Sequence, residues 1–356
     1  MKNDIKKFLL LIMAIVGVAI FSGAASAATL DKTTVIIRAD TTFDYKDLNK
    51  KGWRPQVDFR VYGPIAKGSQ ISIAMTTPDG KPWLSFDCRT TATEAGEALF
   101  VDACGRGDVP TDKISAALGV YGLKIELKNE LKGTNETLLT GKFKVGKAFN
   151  GATPVDKDNY VWYVDYDWAL PVAEVFPDAY ETMYGVKTEK EAQPLKVSFW
   201  FRGYPNDTVG YLFYNGKQIA NTENTSSGGV SNEQGVTLFS YAPFAWTKQV
   251  FNFTNVYVKN TKDPNQLVAP FFMEKNPGEY EVKVLFNKKL ARTLKFTVGS
   301  DGRIVDSGIS SQNALGTSRI TLFANTSGDD DGKKPDFQAW KSTAFFEGPL
   351  KGFGGQ

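Results

Sequence analysis

"PGEYEVKVLFNKKLARTLKFTVG", residues 277–299, alternates, turns, and alternates again. Tyr280, Val282, Val284 and Phe286 share one parity. Glu279, Glu281 and Lys283 share the other, on which Leu285 is the one apolar residue. Asn287-Lys288-Lys289 supplies a turn, after which Leu294, Phe296 and Val298 resume the apolar parity against Lys295 and Thr297. A period of two with one apolar face is the mark of a half-buried strand, and two such runs around a short turn make an antiparallel hairpin.

A looser copy, "YGLKIELKNELKGTNETLLTGKFKVG", spans 121–146. Tyr121, Leu123, Ile125 and Leu127 match its first strand, and Phe143 and Val145 its second. The likeness extends upstream. "VDFRVYG" (57–63) and "VSFWFRG" (197–203) share V-x-F-x-x-x-G, and "TPDGKPW" (77–83) and "FYNGKQI" (213–219) each set a Gly-Lys turn between strand-like runs. The order is the same in both halves, while matched anchors lie 136 to 159 residues apart, so two copies of one unit differ in loop length. Short strands, frequent turns and no sustained helical period predict an all-β chain of two tandem antiparallel β-sandwich domains with a mostly irregular C-terminal tail.

The run P-G-E-Y-E-V-K-V and its closing strand resemble the last hairpin of bacterial secreted immunoglobulin-like β-sandwich proteins, with Gly-x-Tyr before an alternating strand carrying the likeness. The resemblance implies a fold and no activity, because such sandwiches host many roles.

Lys2, Lys6 and Lys7, the apolar run Phe8–Ile20 and Ala25-Ser26-Ala27 form the pattern of a secretory signal peptide, residues 1–27. The expectation is export to the periplasm or beyond, with no membrane span in the remaining chain. Domain one is placed at 28–148, a polar linker at 149–157, domain two at 158–300, and a tail docking on a domain at 301–356. Cys88 and Cys104, an isolated pair in an oxidising compartment, predict a disulfide.

The chain holds 42 Lys+Arg and 39 Asp+Glu. The first 27 residues take three lysines and one aspartate, which leaves 39 against 38, a net of +1, with no basic stripe. Neither nucleic acid nor an anionic membrane is an expected partner. There is no histidine, so Ser-His-Asp, Cys-His and H-E-x-x-H chemistries are excluded.

Four stretches remain as candidates. In "YVWYVDYDW" (160–168), read as a strand, Tyr160, Trp162, Val164, Tyr166 and Trp168 share a face that would pack the core of domain two. Asp165 and Asp167 lie on the other face beside Tyr163, roughly 6.5–7 Å apart along the strand. That separation suits an inverting glycosidase, although a solvated polar face is the simpler reading. In "VSFWFRG", Trp200 and Arg202 take the outward parity, as Arg60 and Tyr62 do in the first copy, and an aromatic beside an arginine would stack on a sugar ring or anchor a protein partner. The rival reading is a Trp200 covered by the tail or the neighbouring domain. "FSYAPFAWTKQVFNF" (239–253), with Tyr241 and Trp246, follows a polar loop and would form a ligand lip. "NTSGDDDGKKPD" (325–336) gathers Asp329, Asp331 and Asp336; calcium is the ion such a loop would take, but the EF-hand register fails because its twelfth position is Gln338. No other cofactor is implied. The expected function is a non-enzymatic binding or cell-envelope structural role with a protein or glycan partner. A polysaccharide-binding module stands next, and a carboxylate hydrolase last.

Overall fold

The computed structural model describes residues 27–44, 46–47, 50–149, 160–176, 195–203, 205–223, 228–235, 246–253, 256–259, 267–313, 320–327 and 336–353. Strands dominate, and all pair antiparallel. The first half contains β1 (Thr29–Phe43), β2 (Lys51–Tyr62), β3 (Ser69–Thr76), β4 (Pro82–Cys88), β5 (Ala98–Cys104), β6 (Gly119–Asn129), β7 (Thr134–Phe149) and β8 (Tyr160–Val164). The second contains β9 (Val172–Phe176), β10 (Leu195–Arg202), β11 (Thr208–Tyr214), β12 (Lys217–Asn221), β13 (Gly228–Gly235), β14 (Trp246–Phe253), β15 (Tyr257–Lys259), β16 (Leu267–Pro270), β17 (Gly278–Phe286) and β18 (Lys289–Val298). In the tail, α1 (Ile309–Gln312), β19 (Ile320–Phe323), β20 (Asn325–Thr326) and α2 (Ala339–Ser342) follow.

The sheets repeat. In the first half a β1-β2-β5 sheet accompanies β4-β3-β6-β7-β8. In the second, β13-β14-β10-β9-β19 accompanies β12-β11-β17-β18-β20. Strand for strand, β9-β10-β14 repeats β1-β2-β5, and β12-β11-β17-β18 repeats β4-β3-β6-β7. Two hydrophobic clusters correspond to the halves, so the architecture is all-β and sandwich-like.

The opening hairpin is β17–β18. Tyr280, Val282, Val284, Phe296 and Val298 are all buried, and Asn287 and Lys288 both take positive φ in the two-residue turn. That pair of left-handed residues gives the turn the twist that antiparallel strands need. Tyr280 faces Phe296 across the hairpin and stacks on it at 5.3 Å, and its hydroxyl donates to the Asn276 carbonyl at 2.8 Å. The earlier copy repeats the contacts of the tyrosine, though its turn is longer. Tyr121 faces Phe143, stacks on it at 5.6 Å, and donates to the Ala117 carbonyl at 2.9 Å. Trp53 fills the first core beneath this pair.

Cys88 and Cys104 are bonded, tying the end of β4 to the end of β5 and so one sheet to the other. In the chain-entropy account, closing a loop of this length contributes about 3 kcal/mol.

One expectation changes. The strand expected over 160–168 stops at Val164, and Asp167–Ala169 forms a 3-10 turn. β8 pairs with β7, so Trp162, Val164, Tyr166 and Trp168 pack into the first core and not that of the second half. The reason is the open edge of β1. The Tyr166 hydroxyl accepts from Ile37 N at 2.6 Å and donates to Ile37 O at 3.0 Å, while Trp162 N donates to Thr41 Oγ1 at 3.1 Å. The aromatic segment satisfies backbone groups that the edge would otherwise leave unpaired. The expected linker lies almost wholly outside the described residues.

Candidate functional site

The outer face of the β9-β10-β14 sheet is where the sequence candidates converge. Alternation directs Val197, Phe199 and Phe201 of β10 into the second core and Ser198, Trp200 and Arg202 to the other face. β14 adds Trp246 opposite Arg202, Lys248 opposite Trp200 and Val250 opposite Ser198; β9 adds Glu174, also opposite Ser198.

This face is covered: Trp200 is 3 % exposed, so the accessible binding aromatic gives way to the rival reading of a tryptophan covered by the tail and the neighbouring half. Tyr166 stacks on it at 5.0 Å with an interplanar angle of 11°. Tyr166 also meets Phe345 of the tail, and Trp168 meets Phe345, Phe346 and Trp340. Trp246, expected in a ligand lip, is 4 % exposed and lies against Tyr163 at 5.6 Å. Tyr241 lies outside the described residues.

Polar groups are matched across the same boundary. Arg202 pairs with Asp167, and Asp167 Oδ1 also accepts from Trp246 Nε1 at 3.2 Å. Asp165 accepts from Asp167 N at 3.0 Å. The two aspartates therefore stand in a half-buried ionic cluster and not on the solvated face that alternation suggests. Burial, and then the charge of Asp167, push the Asp165 carboxyl above the usual range. Burial first, then Asp165 and Asp167, also raises the Tyr163 hydroxyl.

Deeper in the face, Lys248 Nζ bonds Glu174 Oε2 at 2.6 Å, both side chains being almost wholly buried, and Ser198 Oγ donates to the same oxygen at 3.3 Å. A buried pair is held by mutual charge and hydrogen bonds, and removing one partner strands the other in a medium of low dielectric. Arg292 of β18, fully buried, donates to the Trp200 carbonyl at 2.8 Å and lies over the Phe201 ring at 4.5 Å. None of Glu174, Lys248 and Arg292 was singled out by sequence reasoning. The signal was present in "VSFWFR", whose nearly continuous apolar run is the pattern of a strand buried on both faces.

The tail completes the cover. β19 pairs with β9 and β20 with β18, so the tail joins both sheets of the second half. Trp340, Phe345 and Phe353 then enter the first core. Phe345 O accepts from Lys142 N at 3.2 Å and lies so close to β7 that a Cβ at Gly141 would fall 1.3 Å from it. Glycine is what lets the two backbones meet there.

Of the calcium candidates, Asp329 and Asp331 lie outside the described residues. Asp336 is exposed, and its Oδ1 accepts from Gln338 N at 2.8 Å in the turn before α2. Among the described residues no three acidic, histidine or cysteine side chains group to hold a metal, and no helix is long and apolar enough to cross a membrane.

No protein-family profile matches the chain, and no curated protein matches it.

Proposed function

We propose that this chain is an exported, non-enzymatic binding or cell-envelope structural protein made of two tandem immunoglobulin-like domains. The observation that carries the reading is the repeated tyrosine. Tyr121 and Tyr280 each sit near the start of a strand in the same topological position, and each hydroxyl bonds a carbonyl four residues upstream. A tyrosine tied back to upstream backbone at that corner is a hallmark of immunoglobulin-like sandwiches, and β1-β2-β5 against β4-β3-β6-β7 follows an A-B-E and C′-C-F-G order. The disulfide supports an oxidising compartment. The absence of histidine, and the use of the Trp200 face for packing, support a role in mechanical or recognition contacts over catalysis. Fractionation of the native cell tests the reading: the chain belongs in the periplasm, envelope or medium with its cysteines oxidised. A cytoplasmic chain with two alkylatable thiols would refute it.

A second reading is favoured by one observation. Tyr163 is half-buried at the margin of the junction, beside Trp246, Asp165 and Asp167, and an aromatic flanked by carboxylates is a surface on which a sugar ring can rest. Polysaccharide binding at that margin predicts signal on a glycan array that falls with Tyr163→Ala. A hydrolase using Asp165 would instead show turnover of the bound polysaccharide with an acidic pH limb.

A further inference from the structure

The inward parity of the first half runs past the end of its core. On β7, Phe143 and Val145 are buried, and the same face continues to Lys147 and Phe149, both exposed. Trp162 and Tyr160 of β8 stand opposite them. On β1 and β2, the buried pair Ile37 and Val57 gives way on the same parity to Phe43, 49 % exposed, and its cross-strand partner Lys51. The bonds of Tyr166 to Ile37 and of Trp162 to Thr41 run β8 antiparallel along β1, which brings Tyr160 beside Phe43. One end of the sandwich is thus rimmed by Phe43 and Lys51 from one sheet and by Lys147, Phe149 and Tyr160 from the other.

Each sheet supplies an ammonium lying on an aromatic face. Lys51 Nζ is 5.6 Å from the centre of the Phe43 ring. Lys147 Nζ is 4.5 Å from that of Tyr160 and 4.9 Å from that of Trp162, and Phe149 meets Tyr160 edge-on at 5.6 Å. Among the described residues neither lysine pairs with a carboxylate. Asp44, next to Phe43 in the chain, is taken by Lys50 at 3.1 Å. A ring attracts a cation but leaves its charge uncompensated. Under Lys147, Trp162 keeps a buried Nε1 that bonds nothing, an unspent donor at the base of this wall.

We propose that this end of the first half binds an acidic polysaccharide, one built of uronic-acid residues. The inference rests on the binding reading above, but the surface is on the opposite face of β8 from Tyr163. A pyranose ring carries C–H groups that pack on an aromatic face, and its carboxylate calls for a cation at the ring's edge. Each wall supplies both. A carboxylate that draws Lys147 off the Tyr160 ring also frees that face for the sugar. Two cations without counter-charges favour an acidic sugar over a neutral one. A chain with 42 basic and 39 acidic side chains and no basic stripe does not suit the denser charge of nucleic acid.

Titration calorimetry of the full chain, disulfide formed, against oligogalacturonate tests this. The methyl-esterified oligomer is the neutral comparison, and phosphatidylglycerol vesicles are a second anionic surface. The acidic oligomer should bind, more weakly as salt rises, and the esterified one roughly tenfold less well. Lys51→Glu and Lys147→Glu should each weaken binding by roughly tenfold, while Lys147→Arg, which keeps the charge, binds like wild type. Phe149→Ala should cost roughly fivefold, the loss of one aromatic contact. The esterified comparison alters no residue, so it decides the charge selection even if a variant folds poorly. No binding of the acidic oligomer overturns the proposal, as do equal binding of both oligomers and binding untouched by either glutamate variant. Attachment to the vesicles with no affinity for the oligomer also overturns it and assigns the rim to a membrane surface. None of these outcomes moves the fractionation result or the Tyr163→Ala test, which judge the parent readings separately.

Discussion

Replacing Tyr166 with Phe removes one oxygen atom and nothing else from the centre of the junction. The ring still stacks on Trp200 and fills the same volume. What is lost is the pair of bonds to Ile37 N and Ile37 O, at 2.6 and 3.0 Å, which leaves a buried donor and a buried acceptor on β1 without that partner. A buried polar group without a partner costs about 1–3 kcal/mol. Two such groups, discounted for partial relaxation, give about 2–4 kcal/mol. For units of this size each kcal/mol lowers the melting temperature by about 2–4 °C, so Tyr166→Phe should lower it by about 4–16 °C. Calorimetry measures this directly. The control is Tyr211→Phe, whose hydroxyl bonds Glu223 in an exposed position; a surface change of that kind stays within about 0.5 kcal/mol. If both variants melt like wild type, the aromatic segment does not seal the edge of β1, and the junction built on it is wrong.

Three further outcomes are expected. Tyr280→Ala and Phe296→Ala should each cost about 3–5 kcal/mol in denaturant titrations, while Lys283→Ala and Lys295→Ala, on the opposite parity, stay within about 0.5 kcal/mol. Gly141→Ala should expel the Phe345 backbone and make residues 336–353 sensitive to limited proteolysis, whereas Gly348→Ala, where a Cβ meets nothing within 4 Å, should leave them resistant. Asp165→Asn keeps an oxygen to accept from Asp167 N and removes a carboxyl whose ionisation burial disfavours. Because folding raises that carboxyl's pKa, the folded chain binds its proton more readily, so wild-type stability gains on the variant as pH falls from neutral through the raised value toward the ordinary carboxylate range. Paired melting curves across that range should show the variant ahead at neutral pH and the gap closing with acid.

The hairpins were legible because each strand buries one face and wets the other, so Tyr280–Val284 and Tyr121–Leu127 carry the period of two in their side chains. Cys88 and Cys104 were legible from compartment chemistry. The junction was not. Trp200, Lys248 and Glu174 do take the parity that alternation assigns, yet that parity is covered by Tyr166 and by a tail more than a hundred residues away in sequence. Alternation tells which face of a sheet a residue takes, and it is silent on whether a distant segment lies over that face. The same silence put Tyr160–Trp168 in the second core, since an aromatic run does not say which of two open edges it will seal. Asp165 and Asp167 read as solvated for the same reason.

The outer face of the second half is a packed junction and not an open binding platform. Hydroxyl-radical footprinting of the native chain, read by mass spectrometry, tests it without altering a residue. Trp200, at 3 % exposure, and Trp168 and Trp340, buried with it, should stay unmodified until the protein unfolds, while Phe43, at 49 %, is oxidised from the start. Trp200 oxidised as readily as Phe43 in the folded protein would contradict the account.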